Sequence, residues 1–387
     1  VEIARRLDAA VRAARPGAVE TTAQEAHVLA TQPLNRDEAF LDRALGCVLG
    51  GALGDAFGYP IEFHRLDQIR RQFGPNCLSK PLFTQGTFQV SDDTQMTLFT
   101  LEGLAKAGRG AETPALIDHL TRAYADWLDT QSGGSTNQNC TGWLAGRPAL
   151  RQRRAPGNTC LSALASGKIG TPDRPLNDSK GCGAVMRVAP LGWIEPADPA
   201  HRFEQAACAG ALTHGHPDGW ASGRLLAVLI GELQAGANPT DALARAKAIT
   251  AHALQRRGIR ADVLGCVERA AQLAQTNRPP EQAIAELGQG WVGEEALAIA
   301  LYAVLSAHSF TEAVCRAANH DGDSDSTASI AGQIWGAWQG VSVLPMHWVR
   351  RLDVLNDSLY LIGTLDQQGY QAKPVSIEPQ SSFSRRM

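Results

Sequence analysis

The 387-residue sequence lacks the features that mark several common classes of protein. Its net charge is only −3, which gives no indication of a nucleic-acid-binding surface. No uninterrupted apolar run reaches the roughly 20 residues that a membrane-spanning helix needs. The eight cysteines are scattered and form no CxxC pair, which favours buried thiols in a reducing compartment. No secretion signal is visible in a sequence that begins at Val1, and we expect a cytoplasmic protein.

Strand-type alternation of polar and apolar residues is also missing over any useful length. From 218 to 309 the apolar pattern is that of one helix after another, which predicts an all-α fold class. No linker rich in Pro, Gly and Ser divides the chain, so we predict one large domain over residues 38–365. Residues 1–37 are then an N-terminal extension. Residues 366–387, rich in Ser, Pro and Gln, are expected to form a flexible tail.

An acid-rich segment before an apolar helical pattern is the most informative part of the sequence. Asp321, Asp323 and Asp325 lie on alternate residues at the start of that predicted helix. Acids in this position are commonly N-caps. A calcium loop of the EF-hand type is excluded, because the sixth and twelfth positions hold Ser326 and Gly332 instead of Gly and Glu. The third interpretation is a site for a hard cation, which prefers oxygen ligands.

A second cluster of the same kind occurs more than 200 residues upstream. Ser91, Asp92, Asp93 and Thr94 open another helical pattern, in which Ser91 is the predicted N-cap. If the two helix starts meet in the fold, they form an oxygen-only site with four or five carboxylates. Such a site would be unstable without a divalent cation, and it suits Mg, Ca or Mn rather than Zn.

Residues 38–58 are predicted to form the first core helix, and they are rich in glycine. The glycines permit close packing against a neighbour, and they are Gly46, Gly50, Gly51 and Gly54. A P-loop is excluded because no GK[ST] follows and no strand precedes. Asp55 is either a buried capping acid or a support for the site. Glu62 follows in an extended turn, where a single acid is most often a surface residue.

A third polar segment, residues 177–190, contains the small residues Ser179, Gly181 and Gly183. Backbone N–H groups of small residues at a helix start can hold a phosphate, and the alternative is a tight packing turn. The basic run at 151–154 is either a solvated face or a contact to pyrophosphate, since arginine pairs well with phosphate oxygens.

Two further arrangements of reactive side chains are set aside. Cys182 with His214 would form a nucleophilic pair only if the thiol pKa were lowered, and no feature of the sequence predicts that. We interpret Cys182 as a small residue that lines the wall of the site. His214 and His216 lack the third ligand motif that a zinc site needs, and a capped helix end is the alternative.

Five separated pieces of the sequence together resemble, in order, the motifs of the ADP-ribosylglycohydrolase family. The pieces are GGALGDAFG from Gly50 with Glu62 after it, SDDT from Ser91, NDSKGCGAVMRVAP from Asn177, THG from Thr213 and GDSDST from Gly322. Each piece is weak alone, but their order over roughly residues 38–360 is specific. The sequence departs from the family at Asp321, where a second Gly is usual, and at Ser326, which is often Thr and keeps the hydroxyl.

The resemblance implies an all-helical fold, a centre of two Mg²⁺ ions with Mn²⁺ as the alternative, and hydrolysis of the glycosidic bond that joins ADP-ribose to a protein side chain. The metal ligands implied by position are Ser91, Asp92, Asp93, Asp323, Asp325 and Ser326. The implied catalytic residues are Glu62, Asp92, Asp93 and Asp323, and the implied ligand-binding residues are Ser179, Gly181, Gly183 and His214. The GDSDST form most resembles the branch of ADP-ribosylarginine hydrolases and dinitrogenase reductase-activating glycohydrolases.

The resemblance also provides an alternative function from another class. Some family members resemble immunity proteins against ADP-ribosylating toxins. Residues 1–37 are then either an extra helix packed on the core or an arm that docks on an ADP-ribosyltransferase toxin, with hydrolysis secondary. The expected partner is otherwise an ADP-ribosylated protein substrate, and neither nucleic acid nor a membrane is expected.

Overall fold

A computed structural model describes residues 36–132, 140–193 and 199–369. This part of the chain contains 15 α-helices and no strand, which confirms the predicted all-α fold class. Of the predicted N-terminal extension and C-terminal tail, residues 1–35 and 370–387 lie outside the described ranges.

The first seven helices precede residue 235. They are α1 (Arg36–Gly58), α2 (Leu66–Phe73), α3 (Asp92–Ala107), α4 (Thr113–Thr130), α5 (Asn158–Ala165), α6 (Pro199–Ala211) and α7 (Pro217–Gln234). The other eight are α8 (Pro239–Arg256), α9 (Val263–Leu273), α10 (Pro280–Leu287), α11 (Gly293–Ser306), α12 (Phe310–Ala318), α13 (Ser324–Gln339), α14 (Met346–Val349) and α15 (Leu355–Gln367). The short 3-10 turns are Tyr59–Ile61, Leu144–Gly146, Pro148–Leu150, Cys182–Ala184, Ala189–Trp193 and Val341–Val343.

Helices α1 and α13 pack against each other along their whole length at the centre of the fold. Glycines at every fourth position form one face of α1, because residues i and i+4 of a helix lie on the same side. The close contacts pair Gly46 with Gly336, Gly50 with Gly332, Gly54 with Ala328 and Gly58 with Ser324. A Cβ atom at any of these α1 glycines would overlap a carbonyl oxygen of α13. The pairing is antiparallel, so the end of α1 meets the start of α13.

The segment Glu38–Ile61 is long and apolar enough to cross a membrane, although no uninterrupted apolar run of that length was found in the sequence. Of its most apolar window, 89% is buried inside the protein. A helix that is apolar all round is buried on all sides, and here the surrounding helices of the domain bury it.

The remaining described helices surround this central pair. Helices α11 and α12 pack on α13, and α15 packs on both α1 and α3. Helix α3 lies against α4 and is buried along nearly all of its length. Helix α7 packs between α6 and α8 and also contacts α13. The start of α3 therefore lies in the interior, near the junction of α1 and α13.

The contact between α1 and α13 gives a direct prediction for stability. Gly54→Ala places a methyl group against the carbonyl of Ala328, and overpacking of this kind costs typically about 1–3 kcal/mol. Gly265→Ala is the matched control, because Gly265 lies on the exposed face of α9 and no atom would lie within 4 Å of its new Cβ. The control should gain about 0.5–1 kcal/mol, since alanine is favoured over glycine inside a helix.

Urea unfolding followed by circular dichroism measures both free energies of unfolding. A Gly54→Ala protein as stable as its Gly265→Ala counterpart would show that the backbones of α1 and α13 are not in close contact.

Candidate active site

The starts of α3 and α13 lie side by side, although they are more than 200 residues apart in the sequence. The Ser326 hydroxyl of α13 donates a hydrogen bond to Asp93 Oδ2 of α3, over 3.3 Å. Asp325 of α13 also lies near enough to Asp92 and Asp93 of α3 for its charge to act on both carboxyl groups. The meeting of the two acid clusters expected from the sequence is therefore present in the fold.

Asp55 of α1 holds the start of α3 in place. One of its carboxylate oxygens accepts the Ser91 N–H over 2.8 Å, and the other accepts the Thr94 N–H over 3.0 Å. Ser91 itself caps the helix by accepting the Asp93 N–H over 3.2 Å, as the sequence predicted. Asp55 is thus a buried capping acid, and by fixing the position of α3 it also supports the site.

Asp323 is the N-cap of α13 and accepts the Ser326 N–H over 3.2 Å. Its own N–H donates to Gln289 O over 2.8 Å. Gly322 before it has a φ of +152°, and a Cβ there would overlap Gln289 O, so the turn requires glycine. Asp321 lies outside the cluster, on the surface, where it accepts the Leu66 N–H over 2.6 Å.

Glu62 reaches the carboxylate cluster from the 3-10 turn that ends α1. It is only 7% exposed, and its Oε2 atom has no hydrogen-bond partner. Asp93 Oδ1 is also buried without a partner. Two unsatisfied carboxylate oxygens at one place are costly in a folded protein, because a buried polar group without a hydrogen bond loses its hydration.

The electrostatics of the cluster are those of buried like charges. Burial, and next the charge of Asp325, raises the pKa of Asp92 and of Asp93 well above the ordinary value. Burial and then the charges of Asp325 and Asp323 raise the pKa of Glu62 to about 10. No ion pair in the described ranges supplies a lysine or arginine to these carboxylates. Their charge is therefore not balanced by the protein itself.

The donor set fits a hard divalent cation by its chemistry. It consists of carboxylate and hydroxyl oxygens, two of the carboxylate oxygens lack partners, and no basic side chain competes for them. In the described part of the chain, however, no group of three or more His, Cys, Asp or Glu side chains is arranged so that it could hold a metal ion. The assignment of Ser91, Asp92, Asp93, Asp323, Asp325 and Ser326 as ligands stays a prediction.

The predicted phosphate segment forms one wall beside the carboxylates. Ser179 Oγ accepts a hydrogen bond from the Gly181 N–H over 3.3 Å. The same oxygen lies 3.1 Å from Thr159 Oγ1. A Cβ at Gly183 would lie 2.9 Å from Cε1 of His214, so glycine leaves room for that ring. The structure therefore brings Ser179, Gly181, Gly183 and His214 together.

His214 is neutral in this setting. Burial, and next the charge of the neighbouring Arg187, lowers its pKa to about 3. Arg187 donates to Thr213 Oγ1 over 2.7 Å, and in one of the two neutral tautomers of His214 this hydroxyl donates to Nδ1, 2.8 Å away. The ring proton is then on Nε2, which faces Gly181 and Gly183 as a hydrogen-bond donor.

Cys182 is closer to the centre than the sequence indicated. Its Sγ lies 2.9 Å from Asp323 Oδ2 and 3.6 Å from Ser326 Oγ. Burial, with the charge of Asp323 added, raises the thiol pKa well above its ordinary value. The thiol therefore stays protonated and donates to Asp323, which argues against a nucleophilic role.

The contacts of Arg153, Arg154 and His216 distinguish between the alternatives that the sequence left open. Arg154 is buried and donates to Val90 O and Asp353 Oδ2, so it has a structural role. Arg153 lines a cavity of about 540 Å³ that also reaches Thr159, which leaves it as a candidate phosphate contact. His216 caps α7 by accepting the Asp218 N–H over 3.1 Å, in agreement with the capped helix end.

The segment 289–293 was missed by sequence reasoning. It is bonded to both ligand-bearing loops, through Gln289 O to the Asp323 N–H and through Trp291 O to the Cys182 N–H. The local signal in the sequence is a pair of glycines, Gly288 before the segment and Gly290 within it, and both have positive φ in the structure. Nothing in the sequence pattern links this segment to residues more than 100 positions away.

The chain is similar to known proteins of one family. The family model described as ADP-ribosylglycohydrolase matches residues 36–372. An ADP-ribosyl-[dinitrogen reductase] glycohydrolase of Rhodospirillum rubrum is 26% identical over 320 residues, covering 81% of this chain and 91% of the relative. An ADP-ribosylarginine hydrolase Tri1 of Pseudomonas putida (strain GB-1) is 27% identical over 317 residues, covering 81% and 75%.

A solved structure supports the fold. A chain of an ADP-ribosylglycohydrolase-related protein complex superposes with a TM-score of 0.55 at 24% identity, covering 85% of this chain and 98% of that one. Since the family model matches most of the sequence, the chain belongs to the ADP-ribosylglycohydrolase family.

Proposed function

We propose that this member of the family hydrolyses the N-glycosidic bond between ADP-ribose and an arginine side chain of a modified protein, with the help of divalent cations. The observation that carries the proposal is the convergence of the two acidic helix starts with Glu62, without a basic partner among the described side chains. The names of the relatives from Rhodospirillum rubrum and Pseudomonas putida support removal of ADP-ribose, and the second supports arginine as the modified residue.

The residues divide between holding a cation and handling the substrate. Two Mg²⁺ ions, with Mn²⁺ as the alternative, would be held by the oxygens of Ser91, Asp92, Asp93, Asp323, Asp325 and Ser326. When bound, such a cation supplies Lewis acidity toward ribose hydroxyls and keeps the carboxylates ionised. Ser179, Gly181 and Gly183 would line the pyrophosphate site, where small residues leave room for the ligand, and His214 would add the Nε2–H donor.

Glu62 is the group best placed to move a proton. Its Oε2 atom is buried beside the carboxylate cluster and has no hydrogen-bond partner, so it is free to accept a proton from a water molecule held in the site. As the water oxygen bonds to C1″ of the ribose, the bond from C1″ to the guanidine nitrogen breaks and Glu62 accepts the water proton. That proton then passes to the departing guanidine, which leaves as ordinary arginine. Asp92, Asp93 and Asp323 act by fixing the cation-binding geometry around this step.

The alternative function of docking on an ADP-ribosyltransferase toxin depends on residues 1–37. No contact among the described residues favours it, and the hydrolase is the function that the site supports best.

The proposed reaction is tested by release of ADP-ribose from an arginine-modified protein, with Mg²⁺ and with EDTA. We expect release with Mg²⁺ only, because the carboxylate cluster needs a cation. A serine-modified protein is the parallel substrate and should be cleaved far more slowly. Release that is equal in EDTA would contradict the metal-dependent mechanism, and preference for serine would contradict the arginine assignment.

The cation requirement gives a second prediction, measured by thermal unfolding. In EDTA, Asp325→Asn should raise stability by about 1 kcal/mol, because it removes one of several buried like charges and the amide oxygen can still accept the Ser326 N–H. With Mg²⁺ at about 100 times its Kd the wild-type protein should gain about 2.7 kcal/mol, and the variant should lose most of that gain.

Asp321→Asn is the matched control from the same loop, since Asp321 lies on the surface outside the cluster. It should leave both the stability in EDTA and the response to Mg²⁺ unchanged. An Asp325→Asn protein with the full wild-type response to Mg²⁺ would show that Asp325 does not contribute to cation binding.

A further inference from the structure

An exposed pair of aromatic rings lies beside the proposed active site and has no part in the chemistry described above. Phe63 is 72% exposed and Trp291 is 39% exposed, and their rings stack with centroids 6.0 Å apart and an angle of 15° between the planes. Large apolar side chains in contact with each other on a surface mark interaction sites more often than single ones do.

The backbone around Trp291 is fixed to both walls of the site. Trp291 O accepts the Cys182 N–H over 3.1 Å, and the Gly293 N–H donates to Lys180 O over 2.8 Å. On the other side, Gln289 O accepts the Asp323 N–H over 2.8 Å. The indole is therefore carried by a segment that is bonded to the phosphate loop and to the acidic helix start at the same time.

Further bonds hold the turn before Trp291. Glu295 Oε2 accepts the N–H groups of Gln289 and Gly290 over 2.9 and 3.1 Å, so a single carboxylate fixes two consecutive peptide groups. This bonding keeps the exposed indole in one place relative to the carboxylates.

Phe63 is placed at the same rim by its neighbour in the sequence. It directly follows Glu62, whose side chain points into the carboxylate cluster, while Phe63 lies outside it. The turn is closed by the His64 N–H to Ile61 O bond over 2.8 Å. Phe63 is thus next to Glu62 in the sequence, and Trp291 is joined to Cys182 by one backbone hydrogen bond.

The chemistry of the rim fits a planar cation. The faces of Phe and Trp carry negative charge density, and a guanidinium ion stacks on them through its flat face. The carboxylates of the cluster add a negative field at the same place. The two rings already stack on each other, which leaves no slot between them for a second aromatic group.

We propose that the Phe63–Trp291 pair receives the guanidinium group and the aliphatic stem of the modified arginine, and so selects an arginine-linked substrate. The inference rests on the proposed function, because it assigns the leaving group of that reaction. Pyrophosphate and ribose lie on the inner side, at the glycine loop and the carboxylates. The arginine side chain passes over the aromatic pair toward the rest of the modified protein.

The test compares kinetics on an arginine-ADP-ribosylated peptide with binding of free ADP-ribose, both with Mg²⁺. Phe63→Ala and Trp291→Ala should each raise KM about two- to fivefold with little change in kcat, the loss expected for a cation over an exposed ring. The Kd of free ADP-ribose, measured by calorimetry, should stay unchanged because that ligand has no arginine. Trp291→Phe should restore the low KM, whereas Trp291→Leu should not.

Tyr360→Ala is the matched control. Tyr360 is 53% exposed and stacks on Trp143 with centroids 4.2 Å apart, so it forms a second exposed aromatic pair. That pair adjoins Glu102, whose Oε1 accepts the Leu144 N–H over 3.1 Å. Glu102 is ten residues along α3 from Asp92, or about 15 Å by helical rise. The control should leave KM and Kd unchanged.

Each contrary outcome is separately visible. An unchanged KM in the Ala variants would overturn the inference. If the same variants also dimerise differently, the aromatic pair would be a contact to a second copy of the chain. A parallel loss of affinity for free ADP-ribose would overturn it too, because the pair would then hold the adenine ring. If the wild-type protein releases no ADP-ribose from arginine, the proposed function fails, and the inference fails with it.

Discussion

The close contact between the backbones of α1 and α13 is the constraint on which the rest of the structure depends. Glycines at every fourth position of α1 let the two helices approach until main-chain atoms touch. Because the pair is antiparallel, this contact brings the end of α1, with Glu62 beyond it, to the start of α13 with Asp323 and Asp325. The position of the acids therefore follows from packing in the centre of the domain, far from any solvent-exposed loop.

The same arrangement buries several carboxylates close together, which lowers the stability of the fold. Each helix N-terminus offsets negative charge by about 0.3–1 kcal/mol. In addition, the backbone N–H groups of Ser326 and Gly157 donate hydrogen bonds to the carboxylates of Asp323 and Asp92. These contributions are small beside the cost of burying several carboxylates without a counter-ion. The proposed cation would relieve this electrostatic repulsion, and its binding would then couple the stability of the protein to the occupancy of the site.

Much of this could be predicted from the sequence. Helical periodicity gave the all-α class, and the two acidic helix starts indicated a shared site because each has a cap, acids and an apolar run after it. The sequence could not show that Asp321 lies outside the cluster, since its spacing matches that of Asp323 and Asp325. It also could not place Trp291 or the Cys182 thiol, because their roles come from hydrogen bonds and contacts across more than 100 residues of chain.

Packing of α1 on α13 and capping of α3 by Asp55 bring two acidic helix starts together, and we propose that cations bind between them. The most direct measurement is a crystal structure with Mn²⁺, in which anomalous scattering locates the ions. We expect anomalous peaks between Asp92 or Asp93 on one side and Asp323 or Asp325 on the other. Mn²⁺ bound elsewhere, with these carboxylates free of it, would show that the two helix starts do not form a cation site.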